Sequence, residues 1–197
     1  MSIILIFAGV AVLIIIYLLA TYNQFVTTKT RLQASIQEIG NQLKRQADLI
    51  PNLVESVKGY MKHEKDVFKM LTDARKQVLD ELKGGMDPQK LVDLSGKLQQ
   101  ALQPIRVLLE SNPQLQAAGP TQNLMDELRD TADKVMYARR TLIDLTADYN
   151  IMIVTFPSNL VASMFGFKQE TGLKMPTTQE ELEVTAEDTK TPKVKLN

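Results

Sequence analysis

Two hydrophobic patterns divide the chain. From Ile3 to Ala20 the sequence reads IILIFAGVAVLIIIYLLA, eighteen residues without a charge, and the first charged side chain is Lys29. At about 1.5 Å per residue such a helix covers roughly 27 Å, close to the ~30 Å of a bilayer core. Tyr17 and Tyr22 lie near one end, where amphipathic rings favour the membrane–water interface. A cleaved signal peptide would open with a basic residue and end in small residues at a cleavage site. No basic residue precedes this run, and Leu18 and Leu19 stand where small residues would be needed, so the pattern predicts an uncleaved anchor. A buried core helix fits less well, because the run has no polar face. The nearest positive charges, Lys29, Arg31, Lys44 and Arg45, all lie C-terminal to it. The positive-inside tendency then places the C-terminal domain of a cell-membrane protein on the cytoplasmic side.

Beyond the anchor the pattern changes to helical spacing. Leu32, Ile36, Ile39, Leu43, Ala47, Ile50, Val54, Val57, Met61, Phe68, Leu71, Val78 and Leu82 recur at one face, and no strand alternation competes. Pro51 interrupts this run, removing an amide donor and crowding the preceding turn. Its neighbours hold little turn chemistry, so a kinked or restarted helix continuing in roughly the same direction is expected. Lys83-Gly-Gly-Met-Asp-Pro88 is a stronger turn, with glycines to leave one helix and Asp87-Pro88 to begin the next. A helix from about Pro88 to Glu110 follows, bent at Pro104, then a loop over Ser111 to Pro120. A third long helix runs from about Thr121 to Val154, followed by a short apolar coda over Ser158 to Phe167. Residues from Lys168 onward read as disordered. The expected fold is all-α: an antiparallel bundle of three or four long helices, the count depending on Pro51, after an N-terminal transmembrane helix. The expected domains are an anchor over 1–21, a bundle over 22–167 and a tail over 168–197.

Composition removes several function classes. Lys plus Arg and Asp plus Glu each total 23, so no basic excess points to nucleic acid. There are no cysteines and one histidine, His63, which leaves little from which to build a thiolate site, a His relay or a multi-His metal centre. His63-Glu64 resembles the start of a zinc-protease motif, but Val67 stands where the second histidine would be. Ser95-Gly-Lys97 lacks the flanking residues of a phosphate loop, and no Gly-x-Ser-x-Gly occurs. The sequence therefore predicts no enzyme, no metal and no cofactor.

Charged residues supply the candidate sites. At about 100° per residue from Leu43, Asn41, Arg45, Asp48, Asn52, Gly59 and His63 fall opposite the apolar stripe. This face is either solvated, with Arg45 and Asp48 a surface ion pair, or a docking face for a partner carried by Arg45, Asp48 and Asn52. Arg75 falls about 40° from its stripe and Arg139 about 20°, with Glu64 also near the inner side. Buried charges must be paired. Glu64 and Arg75 lie roughly 16 Å apart on one helix, so their partners must come from other helices, and Glu64 with Arg139 is the expected pair. The alternative is that these side chains snorkel from the stripe's edge or fix helix register.

The chain resembles the LemA family of bacterial membrane-anchored helical proteins. The resemblance rests on the anchor followed by Tyr22-Asn-Gln-Phe-Val26, on Gln42-Leu-Lys-Arg-Gln-Ala-Asp-Leu-Ile-Pro-Asn-Leu-Val54, on Val57-Lys-Gly-Tyr60 with His63-Glu64, and on Ala74-Arg75. It continues through the Pro113 loop, Ala138-Arg-Arg140, Tyr149-Asn150, Phe156-Pro-Ser158, Ala162 and Gly166-Phe167. The family usually carries a second Tyr-Asn pair after Ala-Arg-Arg, where this chain has Leu142-Ile143, and Pro104 is also unusual, so this is a divergent member. The resemblance implies a single membrane pass and an all-helical domain, and offers no catalytic residues. Arg45, Asp48, Asn52, Glu64, Arg75, Arg139 and Asn150 match its motif positions.

The expected function is a non-enzymatic scaffold or adaptor, bound to the lipid bilayer through its first helix and to another membrane or envelope protein through the bundle. A second expectation is a membrane-surface sensor or lipid-interacting bundle in which Val161 to Phe167 touches the bilayer. A hydrolase or metalloenzyme is the third and weakest.

Overall fold

The computed structural model describes residues 2–61, 65–112 and 119–174. Among these residues five helices follow in order: α1 (Ser2–Val57), α2 (Lys65–Gly84), α3 (Pro88–Ser111), α4 (Gly119–Val154) and the short α5 (Ser158–Phe165). The described residues contain no strand. The all-α bundle is as the periodicity predicts.

The apolar anchor and the first bundle helix are one element. α1 runs 56 residues without a break and carries Pro51 inside it. At about 1.5 Å per residue it is roughly 84 Å long. Its first part, over Ile3 to Tyr17, leaves its large apolar side chains exposed, as a helix destined for lipid must.

The chain reverses at a place the spacing does not mark. The run from Leu32 to Leu82 was expected to keep one direction through Pro51. The helix does pass through Pro51, but it ends at Val57, where the amides of Tyr60 and Met61 both turn back to the Val57 carbonyl. α2 then returns antiparallel to α1. Arg75 of α2 lies beside Ala47 of α1, and Leu82 lies beside Gly40. The bundle therefore has four long helices, and the break responsible follows Val57, not Pro51.

The turn from α2 to α3 is as expected. Gly85 and Met86 take positive φ angles of 141° and 56°. The Asp87 side chain then accepts a hydrogen bond from the Lys90 amide, with Pro88 as first helical residue. Gly40 lets this turn close onto α1. A Cβ there would stand 3.1 Å from Leu82 Cδ2 and 3.2 Å from Met86 Sδ.

α1 and α4 pack antiparallel and form the spine. The α2–α3 hairpin covers the half of the spine distant from the anchor, where Ile50, Leu53, Leu71, Leu102, Ile105 and Leu128 are buried together. A middle layer joins Ile39 and Leu43 to Val78, Leu91, Val135 and Leu142. At the end nearest the anchor the hairpin is absent. α5 covers the spine there, with Val161 and Ala162 against Phe25 and Tyr149. After α5, Gly166 adopts a left-handed conformation and the Phe167 amide bonds back to the Ala162 carbonyl.

The stretch 168–174 was expected to begin a disordered tail. It instead runs along the bundle as an irregular strap. Leu173 packs on the middle core layer, and the Lys174 amide donates to Gln89 Oε1 at 2.9 Å. The rest of the predicted tail, 175–197, lies outside the described residues.

Candidate interaction surfaces and the membrane-proximal clamp

The residues singled out by face arithmetic go to separate places. Arg45, Asp48 and Asn52 are all exposed on α1. Arg45 does not pair with Asp48. Its Nε and a terminal nitrogen donate to Glu127 Oε1 of α4 at 2.9 and 2.6 Å, while Asp48 lies 3.6 Å from Lys44. Half-exposed pairs of this kind hold register and contribute about 0–1 kcal/mol each. Of the three, Arg45 is tied to α4 and Asp48 to Lys44 of its own helix, and only Asn52 makes no polar side-chain contact among the described residues.

The expected inner network is not one network. Glu64 lies outside the described residues, and so does its expected pairing with Arg139. Arg139 is half-buried and makes no ion pair among the described residues. Arg75 sits on a different wall. Its Nε donates to the Ala47 carbonyl at 2.9 Å, and Ala47 is fully buried. Ala47 is four residues before Pro51, so its carbonyl is the one that Pro51, lacking an N–H, leaves without a helical donor. Arg75 thus supplies the donor that Pro51 cannot.

Asn150 belongs to a third place. Its Nδ2 donates to the Glu170 carbonyl and its Oδ1 accepts from the Glu170 amide, both at 2.9 Å. One side-chain amide therefore holds the strap's backbone as a neighbouring strand would. The Glu170 carboxylate reaches Lys29 Nζ of α1 at 2.7 Å. Beside this clamp lies an aromatic cluster. Phe25 and Tyr149, both fully buried, meet edge to face at 5.8 Å, and Phe25 stacks on Phe167 at 4.7 Å. Tyr22 contacts both Phe165 and Phe167.

The clamp shifts two titrations in one direction. The hydrogen bond and charge of Glu170 hold the Lys29 ammonium above its ordinary 10.5, against a smaller opposing effect of burial. Burial raises the Tyr149 phenol above its ordinary 10.0. A folded pKa above the unfolded one gives stability that is complete below the unfolded value and lost as pH climbs through the folded value. The strap should therefore stay docked up to about pH 10 and loosen above the ordinary lysine range. The chain has no cysteine, so a nitroxide at Thr171→Cys would be the sole label. Its mobility should be flat from pH 7 to about 10 and rise beyond. In Lys29→Met the label should already be more mobile at pH 7, with a weaker alkaline rise.

Sequence reasoning missed Lys29, Phe25, Glu127 and Glu170, whose roles depend on partners from distant elements. It also missed Gln46, which is fully buried and whose amide has no hydrogen-bond partner among the described residues. Gln46 could have been found, because it sits about 60° from Leu43 on the inner side of α1. Among the described residues no group of three His, Asp or Glu side chains converges as a metal site would require.

The family model described as "LemA family" matches residues 35–194. The "Magnetosome protein MamQ" of Magnetospirillum gryphiswaldense is 26% identical, over 77% of this chain and 64% of its own length. Two proteins of Paramagnetospirillum magneticum, "Magnetosome protein MamQ 1" and "Magnetosome protein MamQ 2", are each 25% identical over the same shares. The chain thus spans 64%, less than two-thirds, of the length of these relatives.

Proposed function

As this chain belongs to the LemA family, a family of membrane-associated helical proteins, we propose that it is a non-enzymatic single-pass membrane protein whose bundle is a scaffold or adaptor for another membrane or envelope protein. The observation that supports this most is the continuity of α1. One helix contains the apolar segment and also forms the spine of the bundle, so whatever docks below is held at a fixed distance from the bilayer. Three of the side chains singled out as sites are used for folding: Arg45 bridges α1 to α4, Arg75 satisfies the proline-freed carbonyl, and Asn150 holds the strap. A scaffold needs no more chemistry than that. The bundle is assigned to the cytoplasmic side on the placement of Lys29 and Arg31 just beyond the anchor.

The docking face is the exposed strip of α1 carrying Asp48 and Asn52. Mild crosslinking of the full-length protein in membranes, followed by affinity purification, should recover a stoichiometric partner. Asp48→Lys with Asn52→Glu should remove that partner while leaving helicity unchanged. An unaltered set of recovered proteins would exclude this face. A reporter fused to the carboxyl terminus should be active in the cytoplasm.

A further inference from the structure

The end of the bundle nearest the anchor carries an apolar surface that the packing does not use. Asp148 and Lys168 bracket nineteen consecutive residues, Tyr149 to Phe167, without a charge. Part of this stretch is core: Tyr149, Val161 and Ala162 are buried. The rest faces outward, with Phe156 75%, Leu160 59% and Met164 66% exposed, and Val154 and Phe165 also open. Leu160 and Met164 are four residues apart and share one side of α5, the side opposite its buried residues. An uncharged, outward-facing apolar helix is unusual on a water-facing surface.

The position of this surface identifies what covers it. Leu18, from the last turns of the apolar segment, packs into the same cluster as Val161 and Ala162. Tyr22 lies 4.8 Å from Phe165, ring centre to ring centre. α5 therefore reaches the level at which α1 passes from lipid to water, and its outer face continues the apolar surface of the anchor.

We propose that the α4–α5 elbow is a second membrane contact, with Phe156, Leu160 and Met164 entering the leaflet from which α1 emerges. The elbow lies in the interfacial layer, where amphipathic helices bury their apolar side by about 5–10 Å. It rests on the membrane reading of α1 and is independent of the adaptor role. Two points of attachment on one rigid body fix the rotation of the bundle about the long axis of α1.

The chain has no tryptophan, so single substitutions give unambiguous reporters. Full-length Leu160→Trp, Met164→Trp, Ile14→Trp and Tyr137→Trp would be reconstituted in vesicles of phosphatidylcholine and phosphatidylglycerol, with and without brominated acyl chains. Tyr137 is an exposed α4 residue away from the elbow. Leu160→Trp and Met164→Trp should emit at shorter wavelength than Tyr137→Trp and be quenched severalfold more by bromine. Quenching equal to that of Tyr137→Trp, with Ile14→Trp strongly quenched, would overturn the elbow contact and leave the anchor standing. A blue shift without bromine quenching would also overturn it, because protein and not lipid would then cover the surface. An unquenched Ile14→Trp would overturn the membrane reading itself, and the elbow contact with it.

Discussion

Replacing Arg75 with leucine should cost the bundle about 2 kcal/mol, and replacing Pro51 with alanine should remove most of that cost. The reason is a single acceptor. Pro51 supplies no N–H to the Ala47 carbonyl, which is buried, and Arg75 Nε takes its place at 2.9 Å. A buried carbonyl without a donor costs about 1–3 kcal/mol. Alanine at position 51 restores the helical amide, so Arg75 becomes dispensable. Unfolding the four members of the cycle in detergent, followed by circular dichroism, should give a coupling energy of about 1–2 kcal/mol. Equal losses from Arg75→Leu in both backgrounds would show that the arginine acts through something other than this carbonyl. The pairing also gives a physical reason why Asp48-Leu-Ile-Pro-Asn and Ala74-Arg75 occur together as motifs: the second repairs what the first disrupts.

Phe25→Ala should have a larger effect, of about 3–5 kcal/mol, and a local one. Phe25 is fully buried between Tyr149 and Phe167. It thereby joins α1, α4 and the end of α5 at the one level where the α2–α3 hairpin gives no cover. Hydrogen exchange should show amides of 158–174 losing protection well before those of α2 and α3, because the distal core around Ile50 and Leu102 shares no contact with this ring. Loss spread evenly over all helices would mean that the bundle opens as one unit. Phe25→Leu should retain part of the lost stability, since most of the buried area remains but the edge-to-face contact does not.

Most of the helical framework is legible in the residues. The uncharged run at the start, the Gly84-Gly85 exit, the Asp87 cap and the close of α4 near Phe156-Pro157 all carry local chemistry. The reversal after Val57 does not. The end of α1 and the beginning of α2 bury their apolar residues in the same distal core, so the spacing from Val57 to Phe68 continues across the turn as though the helix did. Only Gly59 marks the place, and a lone glycine is a weak breaker. Pro51 is the stronger sequence signal and yet is accommodated, because its compensation comes from a residue 28 positions from Ala47. The strap escapes for a related reason. Its attachment uses one apolar side chain, Leu173, and hydrogen bonds to Asn150 and Gln89, none of which produces a periodic pattern. Arithmetic on one helix likewise offers Arg45 only its own neighbours, whereas its partner Glu127 is 82 residues away.

The unbroken course of α1 makes the protein a lever. About 55 Å of helix extends from Ala20 to Val57 as one continuous element. A change of about 10° in the inclination of its lipid-embedded portion would sweep the far tip sideways by roughly 10 Å. Variation in bilayer thickness, which alters helix inclination, would thus become displacement deep in the aqueous phase.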